Sequence, residues 1–191
     1  MCYVIISISV KDSAKPIGGS MKDYERLYKL YDECTEELNN IGIVSNPIES
    51  VTINRRAKNR FGLAVREHGV YRIEISEIVL RNDVSDDKAK EVIIHEILHC
   101  CDNCMTHKGR WKAYANKVNA RLGYNITRCN SFENIGVKRE EIVNFKYKIT
   151  CTNCGKIVYR LRASKVVCHP NRYRCGACGG ELKVEKNNTE V

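Results

Sequence analysis

The sequence predicts an α+β fold that is followed by a small cysteine-rich module. Three observations indicate this. Apolar residues recur at helical spacing in three segments, at residues 20–40, 85–101 and 109–122. Apolar and polar residues alternate within residues 51–80, a pattern typical of strands. Beyond Tyr147 the chain becomes rich in cysteine and in basic residues.

Each predicted helix has a recognisable boundary. Ser20 can cap the first helix with Asp23 as its capping-box partner, and Gly42 can end it. Ser85 can cap the second helix. Gly123 fits the C-terminal cap of the third helix.

The alternating region predicts a hairpin and one earlier strand, with residues 67–69 as turn material. The apolar residues that alternate are Phe61, Leu63, Val65, Tyr71, Ile73 and Ile75. We therefore expect a small antiparallel sheet. We place strand Tyr71–Ser76 at its edge, where an extended peptide could add as a further strand.

The composition is that of a soluble globular protein with no membrane partner. The 191 residues are 43% hydrophobic and 29% charged, and no apolar run approaches the ~20 residues that a membrane span needs. The apolar residues 1–10 lack a basic region, so they predict an early strand or a loosely held terminus rather than a secretion signal. We expect a cytoplasmic location, or one associated with the nucleoid or nucleus.

The second helix carries the motif H-E-x-x-H, formed by His95, Glu96 and His99. Histidines four residues apart on a helix point the same way, so both can reach one zinc ion. Glu96 can hold a water on that metal and take its proton. Two histidines and a glutamate on a buried helix are costly unless they are paired or bound to a metal. The motif therefore predicts a zinc hydrolase that cuts peptide bonds.

A catalytic zinc needs a third protein ligand and an open position for water. His107 is our choice, because its loop can swing back beneath the metal. A downstream glutamate, Glu133 or Glu141, is the alternative. The longer pattern H-E-x-x-H-x-x-G-x-x-H is not met, since Asp102 and Met105 stand where glycine and histidine are required.

The eleven cysteines predict a reducing compartment and thiolate–zinc chemistry, because the count is odd and no signal peptide is visible. Two C-x-x-C pairs are typical of a closed structural zinc site: Cys151, Cys154, Cys175 and Cys178. Cys168 or His169 could substitute as a ligand. Cys101 and Cys104 form a further C-x-x-C, which we interpret as small buried residues at a helix end, with zinc binding or a redox pair as the alternatives.

The net charge of +9 comes from 32 basic and 23 acidic residues, and it favours contact with polyanions. The segment 146–186 is the most basic part of the chain. Its candidate contacts to DNA or other nucleic acid are Lys156, Arg160, Arg162, Arg172 and Arg174. The alternative is a module that guides protein substrates or covers the catalytic domain.

Taken together, these motifs resemble the SprT-like metalloprotease family, which includes the Spartan branch. The resemblance rests on H-E-x-x-H, on residues 107–112, which are similar to the family's H-G-x-x-W/F-K, and on Asn119, Gly123 and residues 125–127. The paired knuckles ending at Gly180 are similar to the ribbon that follows many SprT-like domains.

The resemblance implies a zincin-like, gluzincin-type α+β protease domain with zinc on His95, His99 and His107 and with Glu96 as the catalytic residue. It also implies proteolysis of proteins bound or crosslinked to DNA. We expect this domain at 1–145, a four-cysteine zinc ribbon at 146–186 and a disordered tail at 187–191, with one catalytic and one structural zinc.

Two other functions stay open at this point. One is a non-catalytic, nucleic-acid-binding zinc ribbon on a zincin-like scaffold that no longer cuts. Glu96 argues against it, because a structural zinc site needs no base beside an open coordination position. The other is a metal-dependent hydrolase of non-protein substrates.

Overall fold

The computed structural model describes residues 20–187 of the chain. The chain divides into two compact units, and the division falls between Val137 and Lys138. The first unit therefore ends before residue 145, where we expected the boundary. The expectations for residues 1–10 and for the tail beyond residue 187 lie outside the described residues.

The three predicted helices are present in the first unit, as α1 (Met21–Asn40), α2 (Asp86–His99) and α3 (Arg110–Leu122). The Ser85 hydroxyl accepts a hydrogen bond from the backbone N–H of Lys88 at 3.4 Å, so the predicted cap of α2 is present. Gly123 ends α3 in the left-handed conformation, with φ 76°. Ser20 precedes α1, but its side chain makes no capping hydrogen bond to a described residue, so the predicted capping box does not form.

The first unit also contains a three-stranded sheet in the order β1-β3-β2. Its strands are β1 (Ile48–Asn54), β2 (Gly62–Glu67) and β3 (Val70–Ser76), and a 3₁₀ helix (Glu77–Leu80) follows. β2 and β3 are the predicted hairpin, joined by His68 and Gly69, both with positive φ. β1 is the predicted earlier strand, but it pairs parallel to β3. The sheet is therefore mixed and not antiparallel.

The expectation that Tyr71–Ser76 forms the edge of this sheet is wrong. β3 lies between β1 and β2, and its alternating residues Tyr71, Ile73 and Ile75 are buried. Alternation reports which face of a strand is buried, but it does not report which neighbours take its backbone hydrogen bonds. Among the described strands, β1 and β2 are the edges of the sheet.

The core of the first unit lies between α1, α2 and the sheet. Leu27, Leu30 and Leu38 of α1 are at most 1% exposed, and each buried side chain of this size contributes roughly 1.5–3 kcal/mol to folding. Every residue from Glu91 to His99 of α2 is buried. The polar side chains of this stretch, Glu91, His95, Glu96 and His99, are therefore surrounded by protein, and each of them needs a partner.

The second unit is a small antiparallel sheet in the order β5-β4-β6. Its elements are α4 (Arg139–Ile142), β4 (Tyr147–Cys151), β5 (Ile157–Arg160), α5 (Lys165–Cys168), a 3₁₀ helix (Pro170–Arg172) and β6 (Leu182–Lys186). Its apolar core is small, and it includes Ile149 and the stacked rings of Phe145 and Tyr159.

Within residues 20–187, no helix is both long enough and apolar enough to cross a membrane.

Candidate metal centre

Three imidazoles converge at the C-terminal end of α2. His95 and His99 lie on α2, and His107 lies in the loop between α2 and α3. The Nε2 atom of His107 is 2.9 Å from Nε2 of His95 and 3.0 Å from Nε2 of His99. The structure therefore brings the predicted third ligand to the predicted pair.

Backbone carbonyls hold two of these rings in one orientation. Nδ1 of His95 lies 3.0 Å from the carbonyl oxygen of Thr127, and Nδ1 of His99 lies 2.7 Å from that of Cys104. A carbonyl oxygen only accepts hydrogen bonds, so each Nδ1 carries the proton and donates it. Each Nε2 is then left with a lone pair, and the two lone pairs point at the same small volume.

This set of ring nitrogens fits a zinc ion. The Nε2 lone pairs of His95 and His99 both face Nε2 of His107, so a cation between the three nitrogens could be bound by all of them. Four ligands at the ~2.0–2.1 Å zinc–nitrogen distance lie ~3.3 Å apart in a tetrahedron. The measured separations between His107 and the other two imidazoles differ from that value by only a few tenths of an ångström.

The environment also keeps the three rings in the neutral form that binds metal. Burial, together with the neighbouring imidazoles, lowers the pKa of His95 to about 3. Burial lowers the pKa of His99 as well. The pKa of His107 is lowered by burial, by His99 and by Arg128.

Asn46 anchors the turn that returns the chain toward the site. Its backbone N–H and its Nδ2 both donate to the carbonyl of Cys100, at 3.0 and 2.9 Å, which satisfies a carbonyl at the end of α2. Nδ2 also donates to Asp102 at 3.0 Å. Asn103 then takes a positive φ of 59°, and the chain reverses before His107. Nothing in the local sequence links Asn46 to this turn, since the two segments meet only in the fold.

The single tryptophan of the chain packs against all three histidines. The ring centre of Trp111 lies 4.9, 5.5 and 4.6 Å from those of His95, His99 and His107. Trp111 is 2% exposed, and its Nε1 has no hydrogen-bond partner among the described residues. The periodicity of α3 predicts Trp111 only as part of an apolar stripe, whereas in the structure it is the surface on which the imidazoles rest.

Glu96 follows His95 on α2, and its side chain lies against strand β2. A Cβ added at Gly62 would overlap the carboxylate end of Glu96, so alanine at this position would force that buried side chain to move. Burial raises the pKa of Glu96 to about 7, while the backbone N–H of Ala64 and the charge of Arg60 oppose the rise. A divalent cation on the histidines would also oppose it by favouring the carboxylate.

The alternative ligands do not join this cluster. Among the described residues, the ligand atoms that lie close together at this site belong to the three histidines, and neither Glu133 nor Glu141 is among them. Cys101 and Cys104 are buried, and burial raises the pKa of both thiols, for Cys101 to about 12. Protonated thiols are poor metal ligands and poor nucleophiles, so this environment favours a packing role.

A comparison with known families identifies the first unit. A family model for the SprT-like family matches residues 24–130, which is more than half of the chain. The chain belongs to the SprT-like family. The matched residues run from α1 to beyond α3 and include the three histidines and Glu96. The four cysteines of the second unit, Cys151, Cys154, Cys175 and Cys178, lie outside the matched part of this SprT-like protein.

Four thiols of the second unit form a separate cluster. Cys151 Sγ lies 3.5 Å from Cys178 Sγ, and Cys154 Sγ lies 3.7 Å from Cys175 Sγ. Four sulfurs at the ~2.3 Å zinc–sulfur distance lie ~3.8 Å apart in a tetrahedron, so the cluster fits zinc. The backbone N–H of Gly180 and neighbouring side chains lower the pKa of Cys178 to about 6, whereas the backbone N–H of Lys156 is outweighed at Cys154 and hydrogen bonds to neighbouring thiols raise its pKa to about 12. The possible substitutes Cys168 and His169 are not part of this cluster.

The five basic residues proposed for nucleic acid are all exposed. They are Lys156, Arg160, Arg162, Arg172 and Arg174. The guanidinium groups of Arg160 and Arg174 donate to nearby backbone carbonyls. No acidic residue occurs between Glu141 and Glu181, so this stretch of the second unit carries only basic charge.

The two clusters predict different metal contents for different variants. Full-length protein purified in the presence of zinc should contain about two zinc ions per chain, and His107→Ala should contain about one, because two imidazoles alone hold zinc weakly. Mass spectrometry under native conditions or atomic emission measures this. His68→Asn is the matched control, since His68 is exposed in the hairpin turn and Asn also tolerates its positive φ of 51°. Two zinc ions in His107→Ala would contradict the assignment of this ligand.

The contact between Gly62 and Glu96 predicts a specific coupling in stability. Gly62→Ala should lower the free energy of unfolding by about 1–3 kcal/mol, because the added methyl group overlaps the Glu96 side chain. In a Glu96→Ala background the overlapping atoms are gone, and the cost should fall below about 0.5 kcal/mol. Denaturant titration of the four proteins of the cycle measures this. Gly176→Ala, where an added Cβ meets nothing within 4 Å, is the control substitution. Equal costs in the two backgrounds would rule out the contact.

Proposed function

We propose that this SprT-like protein is a zinc-dependent endopeptidase with a zincin-like active site, in which Glu96 activates the attacking water. The observation that carries the proposal is the convergence of three imidazole Nε2 atoms at a helix, α2, that also buries the carboxylate of Glu96. A purely structural zinc site would not need that carboxylate. Membership of the SprT-like family also supports a function of the metalloprotease type.

The residues of the site have different roles in peptide hydrolysis. Zinc on His95, His99 and His107 would supply a Lewis acid that polarises the scissile carbonyl and acidifies a water. Glu96 accepts the proton of that water as it attacks, and then donates the proton to the leaving amine. The backbone at Gly62 and the N–H of Ala64 restrict where the Glu96 carboxylate can move and hold it against β2. Trp111 packs beneath the imidazoles and excludes water from that side.

We infer that an extended substrate binds along the free edge of β2. The backbone N–H of Ser76 donates to the carbonyl of Phe61, so these two residues form a hydrogen-bonded pair. Hydrogen-bonded pairs recur at every second residue of an antiparallel ladder, so Leu63, Val65 and Glu67 of β2 also bond to β3. The backbone groups of Gly62, Ala64 and Arg66 then point away from the sheet, on the side of Glu96. The Ala64 N–H already bonds to the Glu96 carboxylate, so an added strand could pair with the Ala64 carbonyl and with the backbone groups of Gly62 and Arg66, and carry its scissile bond past the site.

Glu96→Gln should retain the fold and both zinc ions and should lower kcat for cleavage of an unfolded protein substrate by about 10²–10⁴-fold, because the amide cannot accept the proton. Gel-based cleavage assays and metal analysis of the same samples measure this. Glu36→Gln, on the exposed face of α1, is the matched control and should keep full activity. Undiminished cleavage by zinc-loaded Glu96→Gln would contradict the proposed role.

The edge of β2 is tested by removing one outward N–H. Arg66→Pro should lower kcat/KM by about 2- to 12-fold, the effect of one lost hydrogen bond of about 0.5–1.5 kcal/mol, because proline is tolerated at a sheet edge but cannot donate. Arg66→Ala is the control, since it removes the same side chain and keeps the N–H. If the two variants have the same kcat/KM, substrate does not pair with β2.

We also propose that the second unit binds nucleic acid and so directs the enzyme to DNA-associated proteins. The exposed basic side chains and the absence of acidic residues between 141 and 181 support this. The cytoplasmic, nucleoid or nuclear location of the protein stays a prediction from the sequence.

Affinity for a single-stranded DNA oligonucleotide should fall steeply as salt rises, since binding releases counterions from the phosphates. Lys156→Ala or Arg162→Ala should reduce the slope of log K against log [salt] by about 1. Fluorescence anisotropy at several salt concentrations measures this. Lys22→Ala on α1 is the control and should leave the slope unchanged. Affinity that does not depend on ionic strength would exclude binding through the phosphates.

A further inference from the structure

Three helices hold one short segment that follows α3. The segment is Tyr124–Thr127, and each of its first three residues is bonded by a side chain from a different helix. Glu37 of α1 accepts from the Tyr124 hydroxyl at 2.8 Å. Glu91 of α2 accepts from the Asn125 N–H at 3.0 Å. Asn119 of α3 bonds Ile126.

Asn119 differs from the other two side chains because it bonds both backbone groups of the same residue. Its Oδ1 accepts from the N–H of Ile126 at 2.7 Å, and its Nδ2 donates to the carbonyl of Ile126 at 3.0 Å. Two bonds from one planar amide fix the orientation of the peptide units on both sides of Ile126. The next carbonyl along the chain is that of Thr127, which accepts from Nδ1 of His95.

His95 depends on this distant carbonyl in a way that His99 does not. The partner of His99 is the carbonyl of Cys104, in the loop that follows α2 directly. Thr127 is 32 residues from His95 along the chain, so only the fold brings the two together. If the Thr127 carbonyl turned away, the proton of His95 could move to Nε2, and that nitrogen would then have no lone pair for a metal.

We propose that Asn119 is a positioning residue for the metal centre, and that it acts through the segment Tyr124–Thr127 to keep the Nε2 lone pair of His95 directed at the zinc position. This inference rests on the proposed zinc site. Asn119 bonds the segment and not the histidine, so its removal should weaken zinc binding without removing a ligand. Loss of such an outer partner typically lowers metal affinity 10- to 100-fold.

Trp111 provides a local readout of zinc binding. It is the only tryptophan of the chain, and its ring lies within 5.5 Å of each of the three imidazoles, centre to centre. Tryptophan fluorescence of the full chain, followed while free zinc is set by a series of chelator buffers, therefore reports on this site. Fluorescence does not report on the zinc bound by the four cysteines. That zinc is obtained from the total metal content, which counts both sites.

In this titration, Asn119→Ala should bind zinc 10- to 100-fold more weakly than the wild type. Asn119→Asp keeps the acceptor for the Ile126 N–H but places a second acceptor against the Ile126 carbonyl, so its affinity should also be reduced. Asn54→Ala is the matched control. Asn54 also bonds two backbone groups, since its Oδ1 accepts from the N–H groups of Arg56 and Ala57, but it has no bond to a histidine or to the segment Tyr124–Thr127.

The outcomes separate the two proposals. If the wild type shows no change in tryptophan fluorescence with zinc and contains only one zinc ion, the zinc site itself is wrong. If the wild type responds and Asn119→Ala binds zinc within twofold of it, the role of Asn119 is wrong. A lower melting temperature with unchanged zinc affinity would show a structural role alone and would equally overturn the inference. If Asn119→Ala does not fold, Asn119→Asp decides by the same criteria.

Discussion

Two hydrogen bonds from imidazole nitrogens to backbone carbonyls determine which nitrogens of His95 and His99 can bind a metal. The carbonyls of Thr127 and Cys104 take the Nδ1 protons of His95 and His99. Both rings are surrounded by protein, and an unpartnered buried nitrogen costs about 1–3 kcal/mol, so these bonds support the fold as well as the site. They also leave both Nε2 atoms free to face His107.

The surrounding elements act mainly by keeping these carbonyls and rings in place. Asn46 holds the loop after α2, Trp111 supports the three imidazoles, and Asn119 holds the segment that ends in Thr127. Gly62 limits the space available to Glu96 from the side of the sheet. The site is thus built from α2, α3, two loops and β2. A change in any of these elements should alter the positions of the imidazoles or of Glu96.

The second unit depends on a different balance. Its apolar core is small, so binding of zinc by the four cysteines would supply much of its folding free energy. Short sulfur–sulfur separations and the lowered pKa of Cys178 are consistent with thiolates that share a cation. The exposed basic residues of this unit contribute little to such a core, which leaves them free for a polyanionic partner.

The sequence by itself determined the features that depend on neighbours along the chain. These are the three helices with the caps at Ser85 and Gly123, the hairpin, and the placement of two histidines on one face of α2, because helical periodicity, capping and turn chemistry act over a few residues. The predicted ligand His107 could also be identified from the sequence, because it lies in the loop that follows α2, close to His99 along the chain. Only the tertiary structure decided that β3 is central and that the sheet is mixed, that Gly62 abuts Glu96, and that Asn119 sets the carbonyl facing His95. Those contacts join segments tens of residues apart, and neither the spacing nor the type of a residue indicates which distant backbone group it will meet.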